Sequence, residues 1–71
     1  MKHIWIILFK DLRMTFTTSV EQPRRSVFSR GARLFKACEM TTLMDIFEWM
    51  CNSFAPRKGI EEFKDWRYYE T

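Results

Sequence analysis

Between Arg24 and Lys36 the chain carries Arg24, Arg25, Arg30, Arg33 and Lys36 and no acidic residue, with Phe28 inside the run. Guanidinium forks grip carboxylates and phosphates, and an exposed ring beside them stacks on a base or anchors in a protein pocket. The chemistry on offer is recognition of negative charge rather than bond making. Residues 1–37 hold eight basic side chains against two acidic ones, while residues 38–71 hold four against seven. The whole chain is only +3, with a pI of about 9.1, so the positive character is local.

Catalytic chemistry finds little to work with. His3 is the sole histidine, near a chain end, and no nucleophile, base and orienting acid assemble around it. Two glycines cannot build a phosphate-cradling loop. Glu61-Glu62 point to opposite sides of any regular structure. Asp45 and Glu48 lie on the wet side of a helix, so both pairs read as solvated charges. Cys38 and Cys51, thirteen positions apart, form no CxxC pair. With one histidine they leave a zinc site short of its usual ligands. They read as two reduced, mostly buried thiols in a cytosolic protein. The expectation is a non-enzyme with no cofactor and no metal.

The elements that must position the basic run follow from period and punctuation. Ile4–Phe9 is β-branched and aromatic, as in a buried strand. Met14–Val20 alternates, with Met14, Phe16, Thr18 and Val20 on one face. Lys10–Arg13 turns between them. A two-residue Asp11-Leu12 loop turns Trp5, Ile7 and Phe9 inward; one more residue turns Ile4, Ile6 and Leu8 inward instead. Either way the first strand is apolar on both faces, which suits a central position or an exposed strip for a partner. Pro23 closes the second strand. A third strand is expected over Ser26–Ala37, broken near Gly31, with a short helix over Ala32–Met40 as the competing reading.

Thr42 caps the clearest helix, with Asp45 three residues on as in a capping box. Leu43, Ile46, Phe47, Met50 and Phe54 form its apolar stripe, and Trp49, Met44 and Cys51 fall off it. A last strand is expected over Phe63–Tyr69. The fold class is therefore α+β: a small antiparallel sheet in the order β-β-β-α-β with one helix packed on one face, residues 1–71 forming one domain. Such a small chain buries about 60% of its unfolded surface and leans on dense packing or association. Twelve aromatic residues supply the packing. The six-residue apolar start is too short for a signal peptide or a membrane span, so the chain is expected in the cytoplasm and off the membrane.

Arg24, Arg25, Phe28, Arg30, Arg33 and Lys36 are the expected partner-binding residues, with Trp49 and Trp66 as anchors left over from the core. The leading expectation is a small inhibitor of the phage or mobile-element kind. It would block a larger host protein or nucleoprotein complex, such as a polymerase, nuclease or CRISPR effector. The size of the chain, not its residues, suggests that setting. Two alternatives stand beside it: a single-stranded nucleic-acid binder, and a homodimer whose exposed strand or helix is the subunit interface. A third, structural account pairs the cations with the chain's own acids or sets them on a solvated sheet edge.

Overall fold

A computed structural model of the chain describes residues 2–38, 41–55 and 57–66. Among these, four antiparallel strands form one sheet: β1 (His3–Leu8), β2 (Met14–Ser19), β3 (Arg33–Ala37) and β4 (Ile60–Phe63), ordered β2-β1-β3-β4. One helix, α1 (Leu43–Cys51), lies between β3 and β4 in the chain. The α+β class holds, and β1 is central as its two apolar faces require.

The β1–β2 turn decides the parity of the hairpin. Leu8 pairs with Met14 and Ile6 with Phe16. The loop is therefore Lys10-Asp11-Leu12, closed by Leu12 N–H to Phe9 C=O (2.9 Å) and Phe9 N–H to Arg13 C=O (2.8 Å). Its last residue is left-handed, with Leu12 at φ 69°. Three-residue hairpin loops want that conformation and usually fill it with glycine. Asp11 helps hold the turn by accepting from the Arg13 backbone N–H and Nε, and the first of these bonds is the main cause of its lowered pKa. Leu12 is exposed and loses no packing when truncated. Leu12→Gly should therefore raise Tm by about 3 °C. Relief of left-handed strain of about 1 kcal/mol outweighs the added freedom of the unfolded chain, and each kcal/mol moves Tm by roughly 4–8 °C at this size. Thermal unfolding followed by circular dichroism checks it; a fall in Tm would mean that the loop is not strained.

With this parity Ile4, Ile6 and Leu8 share a face with Phe35, Ala37 and Ile60, and α1 covers it. Ile6, Leu8, Phe35, Ala37, Ile46, Trp49 and Ile60 form the helix-side core, with Ile4, Met14 and Phe54 packed against it. The capping box at Thr42 is formed: Asp45 N–H donates to Thr42 Oγ1 and Thr42 N–H to Asp45 Oδ2. The predicted helical stripe needs correction. Ile46 and Trp49 are the buried helix residues, while Leu43, Phe47 and Met50 face outward. Trp49 has the largest apolar area on the helix and takes the core, edge-on to Phe35 (4.7 Å) and Phe54 (5.0 Å). Phe54 gets there because Ser53 and Phe54 are left-handed (φ 60° and 59°), so the chain doubles back beyond α1.

The opposite face is also covered. Trp5, Ala32, Leu34 and Trp66 form a second core, flanked by Ile7, Phe9 and Phe63. Its lid is the segment 21–32 together with Trp66. The expected strand over Ser26–Ala37 shortens to Arg33–Ala37, because β1 ends at Leu8, the partner of Arg33, and the β1–β3 ladder stops there. Val27–Ser29 instead makes a 3-10 turn. The last strand lies earlier than expected, at Ile60–Phe63. Phe63 pairs with Leu34, one residue from the start of β3 at Arg33, and a turn at Lys64-Asp65 brings Trp66 onto the second core. Tyr68 and Tyr69 lie outside the described residues.

Candidate functional site

The predicted binding residues do not converge on one surface. Trp49 is 1% exposed and Trp66 6% exposed, so neither is a surface anchor; each fills one of the two cores. Arg25 is half-buried and works within the chain. Its Nη1 donates to Trp66 C=O (3.1 Å), its Nη2 to Ala32 C=O (3.3 Å), and its guanidinium lies 5.1 Å from the Trp66 ring centroid. Arg33 forms a two-pronged contact with Glu62 (Nη2 to Oε1 2.6 Å, Nε to Oε2 3.3 Å) across the β3–β4 edge. Lys36 is half-buried on β3, between Trp5 and Glu61 in the sheet register. Part of the charge asymmetry is thus resolved inside the fold, as Arg33–Glu62 shows.

The Arg33 side chain holds the Glu62 carboxyl below the usual range, and the Thr42 N–H and hydroxyl do the same for Asp45. A lowered folded pKa gives stability that is present above the unfolded value of about 4 and lost as pH falls through the folded one. Tm should stay level from neutral pH to about 5, then drop below about 4. Glu62→Gln should flatten that drop; a pH series of melts in which the variant follows the parent would assign the transition elsewhere.

Arg24, Phe28 and Arg30 are exposed. In the 3-10 turn Ser26 and Ser29 share a side, with their hydroxyls 3.3 Å apart, and Ser29 points inward. Val27 and Phe28 are therefore driven outward, and Phe28 is 92% exposed. Gly31, at φ 79°, turns the chain back toward the sheet. A Cβ there would stand 2.5 Å from Lys10 Cε, so the lysine stem lies against the loop. The result is a shallow concavity lined by Phe9, Lys10, Asp11, Arg13, Phe28 and Arg30: an aromatic rim with three cations and one carboxylate.

The second surface is one that the expected helix stripe hid. Leu43 (82% exposed), Met44, Phe47 (61% exposed) and Met50 run along the outer side of α1. Four large apolar side chains on one short helix exceed the scattered singles of an ordinary surface. The signal was in the sequence: seven of the nine helix residues are apolar. A nine-residue helix on one sheet buries only a stripe, so part of that set had to face out.

Among the described residues no three His, Cys, Asp or Glu side chains gather as a metal site would need, and no helix is long and apolar enough to cross a membrane. Cys38 and Cys51 are unlinked and exposed rather than buried as expected, Cys38 Sγ lying 3.2 Å from Thr41 Oγ1. No family model matches the chain, and no curated protein or solved structure matches it.

Proposed function

We propose that this protein works by binding, without catalysis, and that it occludes a surface of a larger partner protein with the outer side of α1. The observation that carries the reading is the exposed row Leu43, Met44, Phe47 and Met50 on a helix whose other side is locked to the sheet by Ile46 and Trp49. A helix backbone already fixed on the sheet loses no further freedom on docking, so only side-chain ordering opposes it. Methionine adapts to an irregular pocket, and phenylalanine supplies a large contact area. The role follows the inhibitor expectation, with the arginine run replaced by the helix as the main contact.

The test is affinity capture with the intact protein from a host lysate, identification of what is retained, and titration of that partner. Phe47→Glu should weaken binding by about 30-fold or more, as loss of an anchor of about 2 kcal/mol implies. Its far-ultraviolet circular dichroism should remain native, because Phe47 lies outside both cores. Unchanged affinity would remove the helix from the interface. If Arg30→Glu alone abolished capture, the basic loop would be the contact instead.

One observation favours a second reading, a single-stranded nucleic-acid binder: Phe28 stands fully out beside Lys10, Arg13 and Arg30. Phosphates would meet the cations while a base stacks on the ring. Fluorescence polarisation with mixed oligonucleotides separates the two readings. This one requires micromolar affinity, a steep salt slope and a loss of about 10-fold or more in Phe28→Ala. No binding at low salt excludes it.

A further inference from the structure

The two edges of the sheet are not alike. β4 ends the sheet with Glu61 and Glu62 and runs on to Lys64 and Asp65, the charged edge by which folded proteins avoid pairing with strangers. β2 ends it with Met-Thr-Phe-Thr-Thr-Ser, six residues of high strand propensity with no charge, proline or glycine. Thr15, Phe16, Thr17 and Thr18 are all exposed. From this asymmetry we infer that β2 is a self-pairing edge: it joins the β2 of a second copy, antiparallel, to make one continuous eight-stranded sheet.

The register follows from the hairpin. Phe9 N–H bonds to Arg13 C=O, and hydrogen-bonded pairs alternate along an antiparallel ladder. Thr15, Thr17 and Ser19 therefore direct their backbone polar groups to β1, and Met14, Phe16 and Thr18 direct theirs away from the sheet. An antiparallel partner can bond only to these outward residues, so even-numbered positions must face even-numbered positions. With Thr17 on the two-fold axis, Phe16 of each copy lies opposite Thr18 of the other, and Met14 faces the end of the partner strand, where Val20 begins a bend. Phe16, exposed in the single copy, then sits on the side that carries the helices. The two Phe16 rings are diagonal neighbours, within reach of each other.

Charge favours this antiparallel match. Arg13 stands just before β2 and Glu21 in the bend just after it, so each end of the paired strands brings a cation of one copy near a carboxylate of the other, and the two-fold repeats the approach at the far end. Arg13 gives its Nε to Asp11 (2.6 Å), and its terminal nitrogens form the fork that meets the incoming carboxylate. The uncharged segment is thus bounded by residues of opposite sign, so that two antiparallel copies related by the two-fold bring unlike charges together at both ends. This surface is separate from the outer side of α1, so pairing leaves the proposed partner contact open.

The test uses the full chain with Cys38→Ser and Cys51→Ser, so that only an introduced thiol can bridge. Sedimentation should show a weak dimer growing with concentration up to about 1 mM, as interfaces below about 1,200 Å² give. Mild oxidation should link Thr17→Cys into covalent dimers, since residues on the axis form a non-hydrogen-bonded pair with Cα atoms about 4.5 Å apart. Thr15→Cys should stay unlinked, because its counterpart lies four residues along the facing strand, about 13 Å away. Glu21→Arg should weaken the dimer severalfold. A monomer at every concentration overturns the inference. So does a dimer in which Thr17→Cys fails to bridge, which would move the interface to α1, or equal bridging at both positions, which would mean random collision.

Discussion

Trp49→Ala should remove about 3–5 kcal/mol, from roughly a third to all of the protein's stability at 25 °C. A chain of this length has a total stability of about 4–10 kcal/mol, and deleting a buried indole costs about 3–5 kcal/mol through lost transfer energy and the cavity left behind. The cavity cannot close easily here. Phe35 is fixed on a central strand, and Phe54 is held by the left-handed turn after α1. Trp49→Phe should cost well under half as much. It keeps the edge-on ring contacts and removes an indole N–H that has no hydrogen-bond partner among the described residues. Denaturant titration by circular dichroism measures both variants. A shift of less than about 1 kcal/mol in the alanine variant would mean that this indole is not in the core.

Trp66→Ala should be nearly as severe, again about 3–5 kcal/mol, for a different reason. Trp66 is the point where the chain end, the 21–32 lid and the sheet meet. Its indole N–H donates to Pro23 C=O at 2.9 Å, its own carbonyl accepts from Arg25, and its ring lies under that guanidinium. Removing the ring opens the second core over Trp5 and Leu34 and takes the aromatic face away from a half-buried cation. Arg25→Ala should cost less, and the two losses should not add, since both break the same junction. Hydrogen exchange localises the effect: amides of the lid lose protection first while those of the β1–β3 ladder keep theirs. Uniform loss across the sheet would show that the lid and the helix-side core unfold as one unit.

The hairpin, the capped helix and the central place of β1 were legible in the chain because each rests on local rules: alternation at Met14–Val20, a threonine cap with its aspartate three residues on, and an apolar run too rich for one face. The misplaced features depend on what lies across from a residue. Ser26–Ala32 has strand character, but β1 ends at Leu8, the partner of Arg33, so the β1–β3 ladder does not extend back to it. Trp66 reads as a strand residue or an interface ring, yet the second core claims it. The helix stripe drawn through Leu43, Phe47 and Met50 sits about a quarter turn from the buried one, because one tryptophan outweighs those smaller side chains in contact with the sheet.

The candidate surfaces divide in the same way. Residue pattern and composition determined that this is a small α+β fold with a concentrated group of cations and more apolar side chains than one small core holds. Only the tertiary structure decided which of them face outward. It took Arg25 for the lid and Arg33 for Glu62, sealed Trp49 and Trp66 inside, and left the outer side of α1, Phe28 and the β2 edge to solvent. The physical reason is that burial and ion pairing are properties of pairs of residues distant in sequence, set by strand register, whereas propensity, capping and charge density are properties of neighbours along the chain.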